Sequence, residues 1–386
     1  MTDTTLDAML DDLRLRTAEM VDDIRRLVEV ESPSSDPAAC LAAVEEAAAL
    51  CAERLPQPAR VETHLGSPVL RWGSTTPRVL LLGHVDTVWP HGSLSEIPWS
   101  VTVEEAGTVL RGPGVFDMKV GAVQAIHAIA AILQRMPDAD VGLLLTTDEE
   151  IGSTNSRQLI LDSVSRAEAA LVLEPSVDGS LKSARKGTSW YRLTVHGRAA
   201  HAGLDPASGI NALLAMSRLA LALSELGNHA FETTVTPTLA SAGTTDNTVP
   251  DRATLSVDVR AWSPEEQQRV DDEVRRLIAD ESLLQGAHVD VEGGLNRPAM
   301  PESSALSLVA RVDRLCREVG LTFPGARAVG GASDGNFTAA AGIATLDGLG
   351  AVGAGAHAVT EWALVEAIPE RTAMVAALVL DLLSPA

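Results

Sequence analysis

The sequence is poor in cysteine, in aromatic residues and in basic residues. Its three cysteines, Cys40, Cys51 and Cys316, are odd in number and have no CxxC spacing, which excludes a disulfide framework and a zinc knuckle. Aromatic residues make up only 3% of the 386 residues, with a single tyrosine. Lysine and arginine total 30 against 52 acidic residues, and the resulting charge of −22 argues against binding to nucleic acid or to an anionic membrane.

Targeting and membrane signals are also missing from the sequence. The first twenty residues contain no basic region followed by an apolar run, so we expect no signal peptide. We also expect no apolar window of membrane-spanning length, and therefore a cytoplasmic protein. The length of 386 residues and the hydrophobic content of 46% are typical of a globular chain with two domains.

The order of apolar patterns indicates an α/β fold with a mostly parallel sheet. Apolar runs that end in polar residues predict buried strands within 78–88, 140–150 and 169–176, with a helix between the first two. Half-exposed strands and two helices between residues 189 and 297 predict an inserted α+β domain, and a final helix is predicted from Glu361. We therefore predict a catalytic domain of residues 1–188 and 298–386, interrupted by an insert of residues 189–297.

Polar residues follow the predicted sheet strands, at the edge where active sites of open α/β sheets lie. The stretch "TTDEEIGS" places three adjacent acids at one strand end, and their repulsion requires either open water or a cation. Each polar residue alone is also compatible with an ordinary turn, but two imidazoles with several carboxylates suit zinc, cobalt or manganese. The residues of this edge are His84, Asp86, Asp117, Glu149, Glu150, Glu174 and His357.

The combination resembles the M20 family of co-catalytic metallopeptidases, and most closely its glutamate carboxypeptidase branch. The resemblance extends over nearly the whole chain, through "GHVDTV", "GPGVFDMK", "TTDEEIGS", "LEPS", "GRAAHAG", "NTVP", "NRPAM", "GGASDGNF" and "AHAVTEW". It implies a catalytic domain of the zinc-peptidase type whose insert serves as a dimerisation or lid domain. It also implies a homodimer.

The resemblance further implies a site for two divalent ions, expected to be zinc, with cobalt or manganese as alternatives. Asp117 would bridge the ions, of which one would be completed by His84 and Glu174 and the other by Glu150 and His357. Glu149 would stay off the metals as the general base. Asp86, two residues after His84, would accept the imidazole N–H. Asp148 is expected to be solvated or to cap a helix.

Four residues in and near the insert are candidates for contact with substrate. His201 matches a histidine that acts on the oxyanion from the partner subunit, although a plain surface histidine is the alternative. Arg297 matches a carboxylate-binding arginine, whose guanidinium suits a free α-carboxylate. Asn247 matches an amide at the same end of the substrate, or is a turn residue. Lys186 and the loop 330–337 would line the pocket, or Lys186 would be solvated.

The resemblance implies amide-bond hydrolysis that releases a C-terminal amino acid, glutamate or similar, from an N-acyl amino acid or short peptide. An N-acyl-amino-acid deacylase or a dipeptidase would use the same residues, and the low aromatic content argues against a pteroyl-type substrate. A non-catalytic binding or dimerisation module of the same fold is a third alternative, but it predicts loss of Glu149 or of a ligand. One departure is Val120, which precedes Gly121 where the family commonly has glycines. Glu361 is expected either to follow the family pattern or to cap the last helix.

Overall fold

The computed structural model describes residues 3–318 and 321–384. The chain divides into two compact units, of which the first comprises Met1–Ala184, Pro301–Val329 and Ser333–Ala386. The second unit comprises Arg185–Met300 and Gly330–Ala332. Both boundaries of the predicted insert, residues 189 and 297, fall inside the second unit.

Helices and strands alternate along the described residues. The helices are α1 Asp3–Leu15, α2 Thr17–Val28, α3 Pro37–Arg54, α4 Ser93–Glu96, α5 Val120–Arg135, α6 Arg157–Ser163, α7 Ala212–Ser224, α8 Pro264–Ile278, α9 Glu281–Leu284, α10 Leu306–Glu318, α11 Gly335–Ala340 and α12 Ala367–Leu383. The strands are β1 Arg60–His64, β2 Ser67–Gly73, β3 Val79–His84, β4 Ser100–Glu104, β5 Gly107–Arg111, β6 Val141–Thr146, β7 Ala169–Val172, β8 Leu181–Arg185, β9 Gly187–His196, β10 Ala200–His201, β11 Thr234–Ala242, β12 Thr248–Val249, β13 Arg252–Ala261, β14 His288–Arg297, β15 Ala326–Val329, β16 Ala344–Leu346, β17 Gly353–Ala354 and β18 Trp362–Leu364.

The first unit is built on a six-stranded sheet in the order β1-β2-β6-β3-β7-β16. Strands β6, β3, β7 and β16 are parallel to one another, whereas β1 and β2 join antiparallel at one side. Every residue of β3 and β6 is buried, as expected for strands whose two faces are both covered by helices. The predicted α/β class with a mostly parallel sheet is therefore confirmed.

Helices pack on this sheet through apolar side chains. Leu80 and Leu82 of β3 share a core cluster with Leu159 and Ile160 of α6 and with Phe337 of α11. The apolar helix α5 packs against β3, β6 and the C-terminal helix α12. This arrangement buries the sheet strands and leaves their ends to carry polar residues.

The predicted final helix begins six residues later than expected. The segment Trp362–Leu364 instead forms β18, which pairs antiparallel with β5 in a four-stranded sheet. Helix α12 starts only at Ala367. The local sequence pattern does not reveal this pairing, because its partner strand lies some 250 residues earlier in the chain.

The second unit is an α+β structure with a four-stranded antiparallel sheet in the order β11-β13-β9-β14. Helices α7 and α8 pack on this sheet. Its core includes Tyr191 and Leu193 of β9, Leu219 of α7 and Val270 of α8. Strand β11 pairs only with β13 among the described residues, so it forms one edge of the sheet.

One stretch, Val115–Arg135, is long and apolar enough by length and composition to cross a membrane. Our expectation that the sequence contains no such window was wrong on both criteria. Of the window, 94% is buried inside the protein, as it is in a core helix of a globular fold.

Candidate metal centre

Three of the predicted metal ligands lie at the carboxyl ends of parallel strands of the first unit. His84 is the last residue of β3, Glu150 follows β6, and Glu174 follows β7. Because these three strands are adjacent and parallel, their ends meet at one edge of the sheet. Asp117 lies in the segment Val115–Lys119, just before α5, and its peptide bond to Met118 is cis.

Asp117 lies between the two histidines. Its Oδ1 is 3.4 Å from His84 Nε2, and its Oδ2 is 3.5 Å from His357 Nε2. His84 Nε2 is also 3.4 Å from Glu174 Oε1, while His357 Nε2 is 3.0 Å from Glu150 Oε2. Ligands about 2.0–2.1 Å from a tetrahedral zinc ion are separated by roughly 3.3–3.4 Å, so these spacings suit coordination. The geometry thus forms two groups that share Asp117.

Two atoms of this cluster are buried in a way that suits a cation. Among the described residues, neither His84 Nε2 nor Asp117 Oδ1 has a hydrogen-bond partner, although both are inaccessible to solvent. Buried polar atoms without partners are costly, and metal coordination removes that cost. Two sets of three residues also bring ligand atoms within 4.8 Å of one another, namely His84 with Asp117 and Glu150, and His84 with Glu149 and Glu174.

The electrostatics of the cluster favour positive charge. Contacts with Asp117 and Glu150 raise the pKa of the His357 imidazole to about 10. Burial lowers the pKa of His84, but its carboxylate neighbours, Asp117 first, outweigh burial and raise it well above its usual range. Burial raises the pKa of Glu150, which reflects how poorly a carboxylate is solvated there. Divalent ions would offset the same negative charge.

Glu149 and Glu150 face different partners although they are adjacent. Glu150 contacts His357, whereas a carboxylate oxygen of Glu149 lies within 4.8 Å of ligand atoms of His84 and Glu174. We expected this divergence from strand geometry, but β6 ends at Thr146 and both glutamates lie in a turn. The turn therefore separates the two side chains. Glu149 is 7% exposed.

Asp86 supports the cluster in a different way from the one predicted. His84 Nδ1 lies 3.0 Å from the main-chain carbonyl oxygen of Asp86, and the carboxylate Oδ1 is 3.3 Å away without hydrogen-bond geometry. The other carboxylate oxygen accepts hydrogen bonds from Ser34 Oγ at 2.7 Å and from the Glu150 amide at 3.3 Å. Asp86 thus orients His84 mainly through its backbone and anchors the Glu150 turn through its side chain.

Asp148 is not solvated. It is 1% exposed, and its Oδ2 accepts hydrogen bonds from the amides of Asn155 and Ser156, immediately before α6. The capping alternative is thus closer to the structure. Asp148 does not directly precede α6, but it accepts hydrogen bonds from the two amides just before that helix. Asp148 holds the turn that carries Glu149 and Glu150.

Sequence reasoning missed Lys182. This residue lies on the buried strand β8, and its Nζ is 3.8 Å from Glu174 Oε2. The sequence signal was a lysine eight residues after a candidate ligand, and its burial on β8 is visible only in the structure. Helix capping by Glu361 is wrong, because α12 begins at Ala367 and Glu361 accepts hydrogen bonds from the Asp117 segment.

His201 and Asn247 lie together in the second unit. His201 pairs across β10 and β12 with Thr248, and the Asn247 carbonyl accepts a hydrogen bond from the amide of Ala202. The His201 ring is exposed, and its Nδ1 accepts hydrogen bonds from the amides of residues 203 and 204, both at 3.1 Å. The ring proton therefore lies on Nε2, which is an available N–H donor.

Arg297 and Lys186 are the other two candidates of the second unit. Arg297 ends β14 and is buried, and its carbonyl accepts a hydrogen bond from Gln267 Nε2 at 2.9 Å. Lys186 donates to the carbonyl of Glu232 and lies 5.2 Å from the ring centroid of Trp262. Lys186 is therefore held by neighbouring residues and is not simply a solvated side chain.

The loop 330–337 is held by a buried polar network. Asp334 accepts hydrogen bonds from Ser153 and Thr146, and Ser333 Oγ donates to Asp347 at 2.6 Å. Ser333, Asp334 and Asn336 are all buried, and these hydrogen bonds hold the loop in place.

The departure at Val120 leaves the close packing at Gly121 intact. Val120 is fully buried, and a Cβ added to Gly121 would lie 2.0 Å from the Leu173 carbonyl oxygen. Only glycine permits α5 to approach the chain this closely, one residue before Glu174.

Comparisons with known proteins agree with this geometry. The pattern of peptidase family M20/M25/M40 matches residues 80–381. Carboxypeptidase G2 of Pseudomonas sp. (strain RS-16) is 32% identical over 313 residues, which cover 79% of this chain and 74% of that protein.

Solved structures agree in fold. A tripeptidase from Staphylococcus aureus has a TM-score of 0.72 at 19% identity and covers 95% of this chain and 98% of its own. A dinuclear metal binding peptidase of the M20 family from Bacillus subtilis has a TM-score of 0.66 at 15% identity and covers 96% and 99%. At these identities the structures show a common fold.

Proposed function

The chain belongs to peptidase family M20/M25/M40, and we propose that this metallopeptidase releases a C-terminal amino acid, glutamate or similar, from an N-acyl amino acid or a short peptide. The observation that carries the proposal is the cluster at the strand ends, in which Asp117 lies between the buried His84 and the half-exposed His357. The similarity to carboxypeptidase G2 supports the carboxypeptidase direction of cleavage.

Five side chains would hold two divalent ions, expected to be zinc, with cobalt or manganese as alternatives. One ion would lie among His84, Asp117 and Glu174, and the other among Asp117, Glu150 and His357. When bound, the ions would make a water molecule more acidic and polarise the substrate carbonyl. The donor set of imidazoles and carboxylates suits these metals.

We assign the role of general base to Glu149. It is nearly buried, and its carboxylate approaches His84 and Glu174 instead of joining the His357 group. It would accept the proton of the attacking water and then deliver that proton to the leaving amide nitrogen. Burial near the cluster would keep bulk water from intercepting the proton.

The second unit would supply the contacts to the substrate. The guanidinium of Arg297 suits the free α-carboxylate of a C-terminal residue, and Asn247 would contact the same end. His201 carries its ring proton on Nε2, so it could donate to the oxyanion that forms on the carbonyl. By the family resemblance, this histidine would serve the site of a partner subunit. Lys186 would line the substrate pocket.

We further propose that the chain forms a homodimer through the second unit. Helix α7 is apolar on nearly all sides, and a helix of that kind is normally buried. Here Leu213, Leu214 and Leu221 remain exposed, with Leu221 at 71%. The neighbouring strand β11 also has an open edge that could continue a sheet into a second copy.

The proposal is tested by metal content and hydrolysis measured on the same preparations. The wild-type protein and Glu149→Gln are compared with a control variant, Glu366→Gln. Glu366 accepts hydrogen bonds from the Thr108 amide and is not one of the residues of the cluster. Substrates are N-acyl-glutamates, N-acetyl amino acids and dipeptides, each with a free and an amidated C-terminus.

We expect two ions per chain in all three proteins and a fall in kcat of about 10²–10⁴-fold in Glu149→Gln alone. Amidated substrates should lose roughly 10–100-fold in kcat/KM, because an ion pair with Arg297 is lost. Full activity of Glu149→Gln would refute the assignment of the base. Failure of the wild-type protein to bind zinc or cobalt would refute the metal centre.

A further inference from the structure

Glu361 is a buried carboxylate that accepts four hydrogen bonds. It is 1% exposed, and its Oε1 accepts from the amides of Phe116 at 2.8 Å and Asp117 at 3.1 Å. Its Oε2 accepts from the Gly114 amide at 3.1 Å and from Trp89 Nε1 at 3.0 Å. All four partners are N–H groups, so only a group that accepts at both oxygens satisfies them.

The three amides belong to the loop that carries Asp117. Gly114 has a φ of +72°, a conformation that glycine adopts without strain and that directs the loop amides inward. Successive inward N–H groups form a concave site for an anion, and Glu361 provides the negative charge. The backbone position of Asp117 is therefore fixed by a side chain 244 residues later in the chain.

Glu361 also connects two other segments of the cluster. Through Trp89 it contacts the loop that follows His84 and Asp86. It lies four residues after His357, and its own amide donates to the carbonyl of Ala358 in the turn between them. One carboxylate thus joins the segments that carry three of the candidate ligands.

We infer that Glu361 is a positioning residue of the metal centre, which sets the place of Asp117 relative to His84 and His357. Both of its oxygens accept from these four N–H groups, so it would act through the backbone of Asp117 and not as a ligand. This inference rests on the metal centre of the proposed function. Asp117 contacts both histidines, so a shift of its backbone would change both ion sites at once.

Glu361→Gln is the decisive substitution. The side chain keeps its size, but an amide has one acceptor oxygen, and its NH₂ group would oppose two of the four N–H donors. Two of the four donors, at least one of them a loop amide, would then lose their acceptor. Substitution of residues that orient metal ligands typically weakens metal binding by about 10–100-fold.

Glu366→Gln is the matched control. Glu366 also accepts a backbone N–H with both oxygens, from Thr108 at 3.0 and 3.1 Å, but it has no hydrogen bond to a ligand-bearing segment among the described residues. A purely structural role of Glu361 would make both variants alike in metal binding.

The measurement is a titration of cobalt(II) into chelator-treated protein, followed by visible absorption. We expect the wild-type protein and Glu366→Gln to bind two ions with the same spectra. Glu361→Gln should bind at least one ion about 10–100-fold more weakly, and its cobalt bands should shift because Asp117 is displaced. Far-UV circular dichroism of the metal-free proteins should be the same for all three.

Trp89→Phe provides a second variant, which removes one donor to Glu361 and keeps an aromatic ring. We expect a smaller loss of cobalt affinity, of about 2–10-fold. If Glu361→Gln does not fold, this variant decides the question, since wild-type binding and spectra in Trp89→Phe would overturn the inference.

Wild-type cobalt binding and spectra in Glu361→Gln would also overturn the inference while leaving the proposed function intact. A wild-type protein that binds no cobalt would overturn the metal centre and the inference together. The two failures are therefore distinguishable.

Discussion

Asp23 connects three helices of the first unit through a buried ionic contact. This residue of α2 is 1% exposed, and it accepts hydrogen bonds from Arg54 of α3 at 2.9 and 2.8 Å. His127 of α5 lies 2.8 Å away through Nε2. Removal of one member of such a contact leaves buried donors without their anion, which is a recognised cause of large destabilisation.

The magnitude follows from the pKa of Asp23. Burial raises this pKa, but hydrogen bonds from His127 and Arg54 outweigh burial and hold it at about 2, against a usual value of 3.8. Because one pKa unit corresponds to roughly 1.4 kcal/mol, this difference in pKa contributes about 2 kcal/mol to the free energy of unfolding. No further cost is added for an unpaired Arg54, because its guanidinium would still pair with the Glu19 carboxylate at 3.5 Å.

The substitution Asp23→Asn should therefore lower the free energy of unfolding by about 2 kcal/mol at pH 7. For a unit of this size, that corresponds to a fall in Tm of roughly 4–8 °C. The pKa is lower in the folded state, so the contribution of Asp23 is complete above about pH 4 and is lost as the pH falls toward 2. The difference in Tm between wild type and variant should shrink over that range.

The assay is thermal unfolding in the presence of chelator between pH 7 and pH 3, so that loss of metal does not contribute. Asp22→Asn is the control, because Asp22 is the exposed neighbour and pairs with Arg25 at 2.7 Å on the surface. Exposed pairs contribute about 0–1 kcal/mol. Equal Tm values for the Asp22 and Asp23 variants would refute the reasoning.

Two further substitutions test the packing and the proposed dimer. Gly121→Ala would place a Cβ 2.0 Å from the Leu173 carbonyl oxygen, so we expect a loss of about 1–3 kcal/mol in urea unfolding. Gly330→Ala, where a Cβ would meet no atom within 4 Å, should change stability by less than about 0.5 kcal/mol, and equal effects would contradict the packing argument. Leu221→Glu should convert the proposed dimer to monomer in analytical ultracentrifugation, whereas Val103→Glu, at an exposed position of the first unit, should not. A dimer that persists in Leu221→Glu would exclude the α7 face as the interface.

The strand ends of the first unit could be predicted from the sequence because the signal is local. Buried parallel strands are short apolar runs, and the polar residue that ends each run is visible in the sequence. The rule that such ends meet at one edge of the sheet then groups His84, Glu150 and Glu174. Half-exposed strands and two helices were also predicted for the second unit, whereas strands β11 and β12 and the short helix α9 were not.

Features that depend on distant partners could not be predicted in the same way. The sequence around Asp148 does not indicate whether it is solvated, because its burial is produced by amides that follow the turn. Lys182 approaches Glu174 only because the fold brings β8 to the strand ends, where the Lys182 amide donates to the carbonyl of Asp347 after β16. The pairing of β18 with β5, which displaced the expected start of α12, joins segments far apart in the chain.

The sequence by itself determined the α/β class and the residue types at the strand ends, and its family motifs indicated the ligand set, because apolar periodicity and motif spacing are local properties of the chain. Tertiary structure alone decided the distances from Asp117 to the two histidines and the contacts by which Glu361 fixes its backbone. Those contacts join residues separated by up to 244 positions, and their distances are set by the packing of the whole unit. No local pattern encodes that packing.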